Sequence, residues 1–167
     1  MKLLLITLLL IMIGLLPLTQ AETSPKFANY PVPKLYQGAT ARLQLHSDDA
    51  RMFRTRLREA LRSPVNFAGE YVVSTWGCGT SCMHGGVVSK KTGEVVLFPW
   101  AVCCWSGEGE SLYTKPNSRL FVVAGKLGED EEGHDETNGV HGAHFYEFTG
   151  GAFKYIRSIA VAERTAW

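Results

Sequence analysis

From residue 67 onward the chain is written as short strands separated by tight turns, and this alternation constrains the fold more than any other feature. Residues 71–76 are β-branched and aromatic, the types that suit a pleated, half-buried surface. Residues 85–89 and 94–98 flank Lys90-Lys91-Thr92-Gly93, a four-residue turn ending in glycine, which predicts a β-hairpin. Residues 111–113 and 119–124 flank a second turn, Lys115-Pro116-Asn117-Ser118. A third hairpin is signalled by residues 144–148 and 152–159 around Gly150-Gly151. The pattern predicts about six or seven antiparallel strands with short connections. There is no βαβ alternation and no G-x-G-x-x-G or Walker-type loop, which speaks against a doubly wound nucleotide-binding fold.

One helix is predicted ahead of the strands. Ser47 is a good N-cap, and Asp48 and Asp49 fall in the first turn, where the helix dipole favours negative charge. Ala50, Phe53, Leu57 and Leu61 recur at three- and four-residue steps and form one apolar stripe. Arg51, Arg54, Arg58 and Arg62 lie on the opposite side, read as a solvated face. Ser63-Pro64 stops the helix. The expected fold is therefore α+β: one N-terminal amphipathic helix over residues 47–62, packed through Phe53, Leu57 and Leu61 onto an antiparallel sheet. Residues 22–46 contain Pro25, Pro31 and Pro33 with little periodicity and read as an extended segment, which Tyr30, Leu35 and Tyr36 would pin to the domain.

The N-terminus reads as a secretory signal peptide. Lys2 is followed by an apolar run from Leu3 to Leu16, Pro17 breaks it, and Thr19-Gln20-Ala21 supplies small residues before a cleavage point ahead of Glu22. The run is shorter than the roughly 20 residues a spanning helix needs. The expectation is a periplasmic or secreted protein, with residues 1–21 removed, no stable membrane anchor afterwards, and a single domain over residues 47–167. Charge is nearly balanced, with 17 Lys+Arg against 16 Asp+Glu, whereas a nucleic-acid binder is usually strongly basic.

Export makes disulfides the expected state of Cys78, Cys82, Cys103 and Cys104. Pairing Ser89 with Glu94 places Cys82 opposite Ala101 and Cys103 opposite Thr80, so the two cysteine pairs meet at the open end of one hairpin. Of the three connectivities, the two that bridge the arms fit this register. The third joins Cys78 to Cys82 and requires a vicinal Cys103–Cys104 bond, whose Cα spacing falls below the usual disulfide range. Cys78–Cys82 closed with a free vicinal pair is a further arrangement. A redox motif is the sharper alternative, but C-x-x-x-C here precedes no helix.

Asn66 to Tyr71, the stretch Trp76-Gly77-Cys78-Gly79-Thr80-Ser81-Cys82, Thr92-Gly93 and Asn117-Ser118-Arg119-Leu120 together resemble a family of small exported bacterial proteins with a W-G-C-G-T-x-C motif. The resemblance covers roughly residues 50–157. It implies export and a β-rich single domain, and it passes no catalytic role to any residue.

Between the second and third hairpins runs Glu129-Asp130-Glu131-Glu132-Gly133-His134-Asp135-Glu136, six carboxylates in eight residues. Three of the five histidines, His134, His141 and His144, lie in or just after it. Three readings are open: a solvated polar loop, a partner-binding loop, and a transition-metal site on the three histidines. The spacing H-x6-H-x2-H matches no named metal motif. A dyad of Cys78 with His84, His141 or His144 is a further candidate, though no G-x-S-x-G elbow accompanies it.

The favoured expectation is a non-enzymatic exported binding protein without a cofactor, inhibitor- or immunity-like. It would use Glu129, Asp130, Glu131, Glu132, Asp135 and Glu136 toward a cationic protein partner, where complementary charge speeds encounter. The alternative is a metal- or thiol-dependent envelope enzyme built on His134, His141 and His144. A structural envelope protein is the third.

Overall fold

The structure, a computed structural model, describes residues 23–105, 109–128, 136–137 and 139–161. The signal segment and most of the acidic run, Glu129 to Asp135 with His134, lie outside the described residues. Among the described residues no helix is long and apolar enough to cross a membrane.

Eight strands form one antiparallel sheet: β1 (Tyr71–Gly79), β2 (Cys82–Ser89), β3 (Val95–Leu97), β4 (Val102–Cys103), β5 (Leu112–Tyr113), β6 (Leu120–Leu127), β7 (Gly142–Phe148) and β8 (Phe153–Ala160). The order is β1-β2-β4-β6-β7-β8, with β3 also on β2 and β5 also on β6. The three turns read from the sequence close β2–β3, β5–β6 and β7–β8. Each rests on local chemistry, such as Gly93 at φ +81° ending the first turn.

Strand alternation sorts the side chains into two layers. Phe67, Val87, Phe98, Trp100, Phe121, Val123, Tyr146 and Phe148 form one buried cluster dominated by aromatic rings. Beside it, the first residue of β1 reaches the β7–β8 turn. Tyr71 Oη donates to the Gly150 carbonyl at 3.1 Å, and the Tyr71 and Phe148 rings stack edge-on at 4.8 Å. On the outer face Val72 and Val88 pack against Ala60 and Leu61, while Leu120, Val122 and Phe145 receive Phe27 and Tyr30.

The helix departs from expectation. In place of one helix over 47–62 there are two short ones, α1 (Asp48–Met52) and α2 (Arg54–Ala60). Ser47 caps the first as read, its Oγ accepting from Ala50 N at 3.1 Å. The break falls at Phe53, whose backbone leaves the helical region at φ −97°, ψ 16°. Its ring stacks on Trp76 at 4.1 Å, nearly parallel. Bending the chain at Phe53 lets that ring lie flat on β1 while Leu57 and Leu61 bury behind it; a straight helix has no such freedom.

The N-terminal segment is extended apart from one 3-10 turn, Phe27–Asn29. It is pinned by backbone bonds, Val32 N to Asn117 O at 3.1 Å and Tyr36 N to Gly69 O at 2.7 Å. Tyr30 packs on the outer layer, whereas Leu35 stays exposed.

Candidate functional site

All four cysteines gather at one end of the sheet, but not in the register read from the sequence. β2 and β3 pair as expected, Val88 with Val95 and Gly86 with Leu97. Past Pro99, which has no N–H to give to a ladder, the chain inserts two residues and buries Trp100 in the core. β4 therefore meets β2 with Cys82 opposite Cys103 rather than Ala101.

The disulfides are correspondingly different. Cys78 pairs with Cys82, Cα atoms 5.1 Å apart, and Cys103 pairs with its neighbour Cys104, Cα atoms 3.7 Å apart. The arm-bridging connectivities expected from the sequence do not form. A bulge between Gly77 and Gly79 sets Cys78 outside the β1–β2 ladder, and the turn places Ser81 at φ 56°; together these fold Cys78 back onto Cys82. Cys104 also adopts a left-handed backbone, φ 65°, a conformation uncommon for a side-chain-bearing residue.

Next to this pair lies β6, with Cys103 opposite Lys126. Gly125, at φ +139°, permits the approach: a Cβ there would strike the Cys103 carbonyl oxygen. Cys82, Val102, Cys103, Lys126 and Leu127 line a mainly apolar depression of about 310 Å³. Gly128 N, just beyond β6, donates to the Ala101 carbonyl at 2.9 Å.

His141 reaches the end of β4. Its Nε2 lies 3.0 Å from the Cys104 carbonyl oxygen and its Nδ1 3.2 Å from that of Val161. Its ring stacks on Trp105 at 5.8 Å. Gly128, the last described residue before the acidic run, and His141, just ahead of β7, are thus fixed to the two residues that flank β4, Ala101 and Cys104.

The other candidates are spread out. His144 is fully buried, with Nδ1 2.7 Å from Ser158 Oγ and Nε2 3.0 Å from the Gly125 carbonyl. Both ring nitrogens are therefore engaged by the protein. Glu136 is exposed. His84 Nε2 lies 3.0 Å from the Phe98 carbonyl, between Trp76 and Phe98. Among the described residues no three His, Cys, Asp or Glu side chains come together as a metal site. Sequence reasoning missed the His141–Cys104 contact, because it depends on the two-residue shift after Pro99.

Compared with known proteins, the chain matches no family model, no curated protein and no solved structure.

Proposed function

We propose that the protein is an exported, non-enzymatic binding protein, inhibitor- or immunity-like, that meets a cationic protein partner with the acidic segment Glu129, Asp130, Glu131, Glu132, Asp135 and Glu136. Residues 1–21 direct export and are removed, and the oxidising compartment keeps the four cysteines paired.

One observation carries this reading: both flanks of the segment are tied to the residues on either side of β4, by Gly128 N to Ala101 O and by His141 Nε2 to Cys104 O. A binding segment held on a rigid base loses less freedom when its partner arrives. Its clustered carboxylates steer a basic partner over a range set by the Debye length, about 8 Å at physiological salt.

The test is a pull-down from periplasmic or culture fluid at low and high ionic strength, followed by association kinetics with the partner recovered. Converting the six carboxylates to Asn and Gln should slow association by at least tenfold and flatten its salt dependence, leaving dissociation nearly unchanged. No partner above background at low salt, or an unaltered association rate, removes the proposal. Metal and free-thiol analysis of the mature protein separates the envelope-enzyme alternative on His134, His141 and His144. Stoichiometric Zn, Cu or Ni, or a free thiol, favours that alternative.

A further inference from the structure

At the other end of β2 from the cysteines, an open groove of about 520 Å³ lies between the N-terminal segment and the end of α2. Cys82 and Lys90 are separated by the length of β2, roughly 25 Å at about 3.3 Å per residue. The groove has an apolar floor, Leu43 and Leu61, and four cationic walls, Arg42, Arg58, Arg62 and Lys90. No carboxylate lines it.

The fold assembles these cations from three places. Arg58, in the last turn of α2, and Arg62, just past its end, are four residues apart and flank the buried Leu61 at the groove. Arg42 arrives on the extended segment, which is tied to the β2–β3 turn by Ala41 N to Lys90 O at 2.9 Å and Gln44 N to Gly93 O at 2.8 Å. That seat exists because residue 93 is glycine; a Cβ there would collide with the Arg42 carbonyl. Lys90 is fixed by its Nζ donating to the Ser63 carbonyl at 2.7 Å.

Four cations elsewhere are matched. Arg51 pairs with Asp48, Arg56 with Glu59, Lys91 with Glu70 and Arg119 with Glu147. Among the described residues Arg42, Arg58 and Arg62 make no ion pair. In a chain whose formal net charge is +1, three guanidinium groups without an ion pair are gathered around one groove that no carboxylate lines. Like charges held together repel, and a bound anion turns that repulsion into attraction.

We propose that this groove binds a phosphoryl group, with Arg42, Arg58 and Arg62 donating to its oxygens, Lys90 adding charge, and Leu43 and Leu61 contacting the body that carries it. Guanidinium forks match the tetrahedral oxygens of phosphate in paired hydrogen bonds. The volume falls within the range of small-molecule sites, about 300–1,000 Å³. This inference is independent of the acidic segment.

The test is a titration of the ¹⁵N-labelled protein with pyrophosphate at ionic strength held constant with sodium chloride. Saturable amide shifts should appear at Ala41, Arg42, Leu43 and Arg58 to Ser63. The double variant Arg58→Gln/Arg62→Gln should bind at least tenfold more weakly. Arg54→Gln, exposed on the same helix but outside the groove, should bind as the parent does. Arg58→Lys/Arg62→Lys, which keeps the charge, should fall between. Sedimentation with phosphatidylglycerol vesicles, reversed by pyrophosphate, assigns the phosphoryl group to a lipid headgroup; pyrophosphate binding without sedimentation assigns it to a soluble phosphate ester. Shifts that never saturate, or a double variant indistinguishable from Arg54→Gln, overturn the proposal.

Discussion

Cys82 and Cys103 face each other directly across β2 and β4, yet each is bonded to a neighbour in its own stretch of chain, Cys78 and Cys104. The two strands are therefore held by backbone hydrogen bonds and packing, with no covalent link between them. After alkylation and denaturation without reductant, trypsin cleavage at Lys90 and Lys91 should release the peptide with Cys78 and Cys82 separately from the peptide with Cys103 and Cys104. One linked species containing both, resolved only by reductant, would show that the cross-strand pairing is the real one.

The local pairing also limits what the disulfides contribute. Loop-closure entropy gives about 2 kcal/mol for a loop as short as Cys78–Cys82 and about 3.5 kcal/mol for one spanning both hairpin arms. Cys78→Ser/Cys82→Ser should lower unfolding free energy by about 2 kcal/mol in urea denaturation, with the strands retained in far-ultraviolet circular dichroism. A loss approaching the larger figure contradicts local pairing.

Ser118 is almost fully buried, and its Oγ joins the N-terminal segment to the sheet. The hydroxyl is placed to donate to the carbonyls of Phe27 at 2.8 Å and Tyr30 at 3.1 Å and accepts from Leu120 N at 3.2 Å. Ser118→Ala takes the acceptor from the buried Leu120 N and one donor from each carbonyl, which keep Tyr30 N and Arg119 N respectively, at a cost of about 1–3 kcal/mol. Limited trypsin cleavage after Lys26 should then precede global unfolding. Unchanged protection at Lys26 would mean that the backbone bridge from Pro31 to Ser118 holds the segment unaided.

How much of this was readable in advance depended on whether a feature is local. The three hairpins follow from residues inside their own turns, such as Gly93 and Pro116-Asn117. The break at Phe53 does not, because it is settled by a ring on another element, Trp76. Nor does the cysteine register: alternation through Phe98 gives no sign that Trp100 will swing into the core and shift β4 by two residues. Arg58 and Arg62 looked like an ordinary wet helix face, since the helix pattern carries no information about Arg42 and Lys90 arriving beside them. His144 looked like a ligand because its acceptor and donor partners, Ser158 and Gly125, come from two other strands.

The Tyr71 phenol is raised above its ordinary value of 10.0, chiefly by burial and further by the charges of Glu70 and Glu94. Folding therefore favours the neutral phenol. Its contribution to stability is whole below about pH 10 and is lost as pH climbs through the raised value. An alkaline titration followed by near-ultraviolet absorbance should show a late tyrosine contribution that is missing in Tyr71→Phe. The stability of that variant should also fall less steeply above pH 10. Superimposable curves for the two proteins would refute the assignment.

The contact between Tyr71 Oη and the Gly150 carbonyl spans 79 residues, and its consequence concerns the order in which the molecule can be made. Phe153, just beyond that turn, packs its ring against Phe98, Trp100, Phe121 and Phe148, so the final hairpin supplies one wall of the main core. A chain emerging from its N-terminus holds the early strands without the surface that completes them. Contacts this distant in sequence are slow to form, and here they come last. The domain has no reason to settle in halves: folding waits for β8, and a chain cut short before Phe153 keeps its aromatic rings open to water.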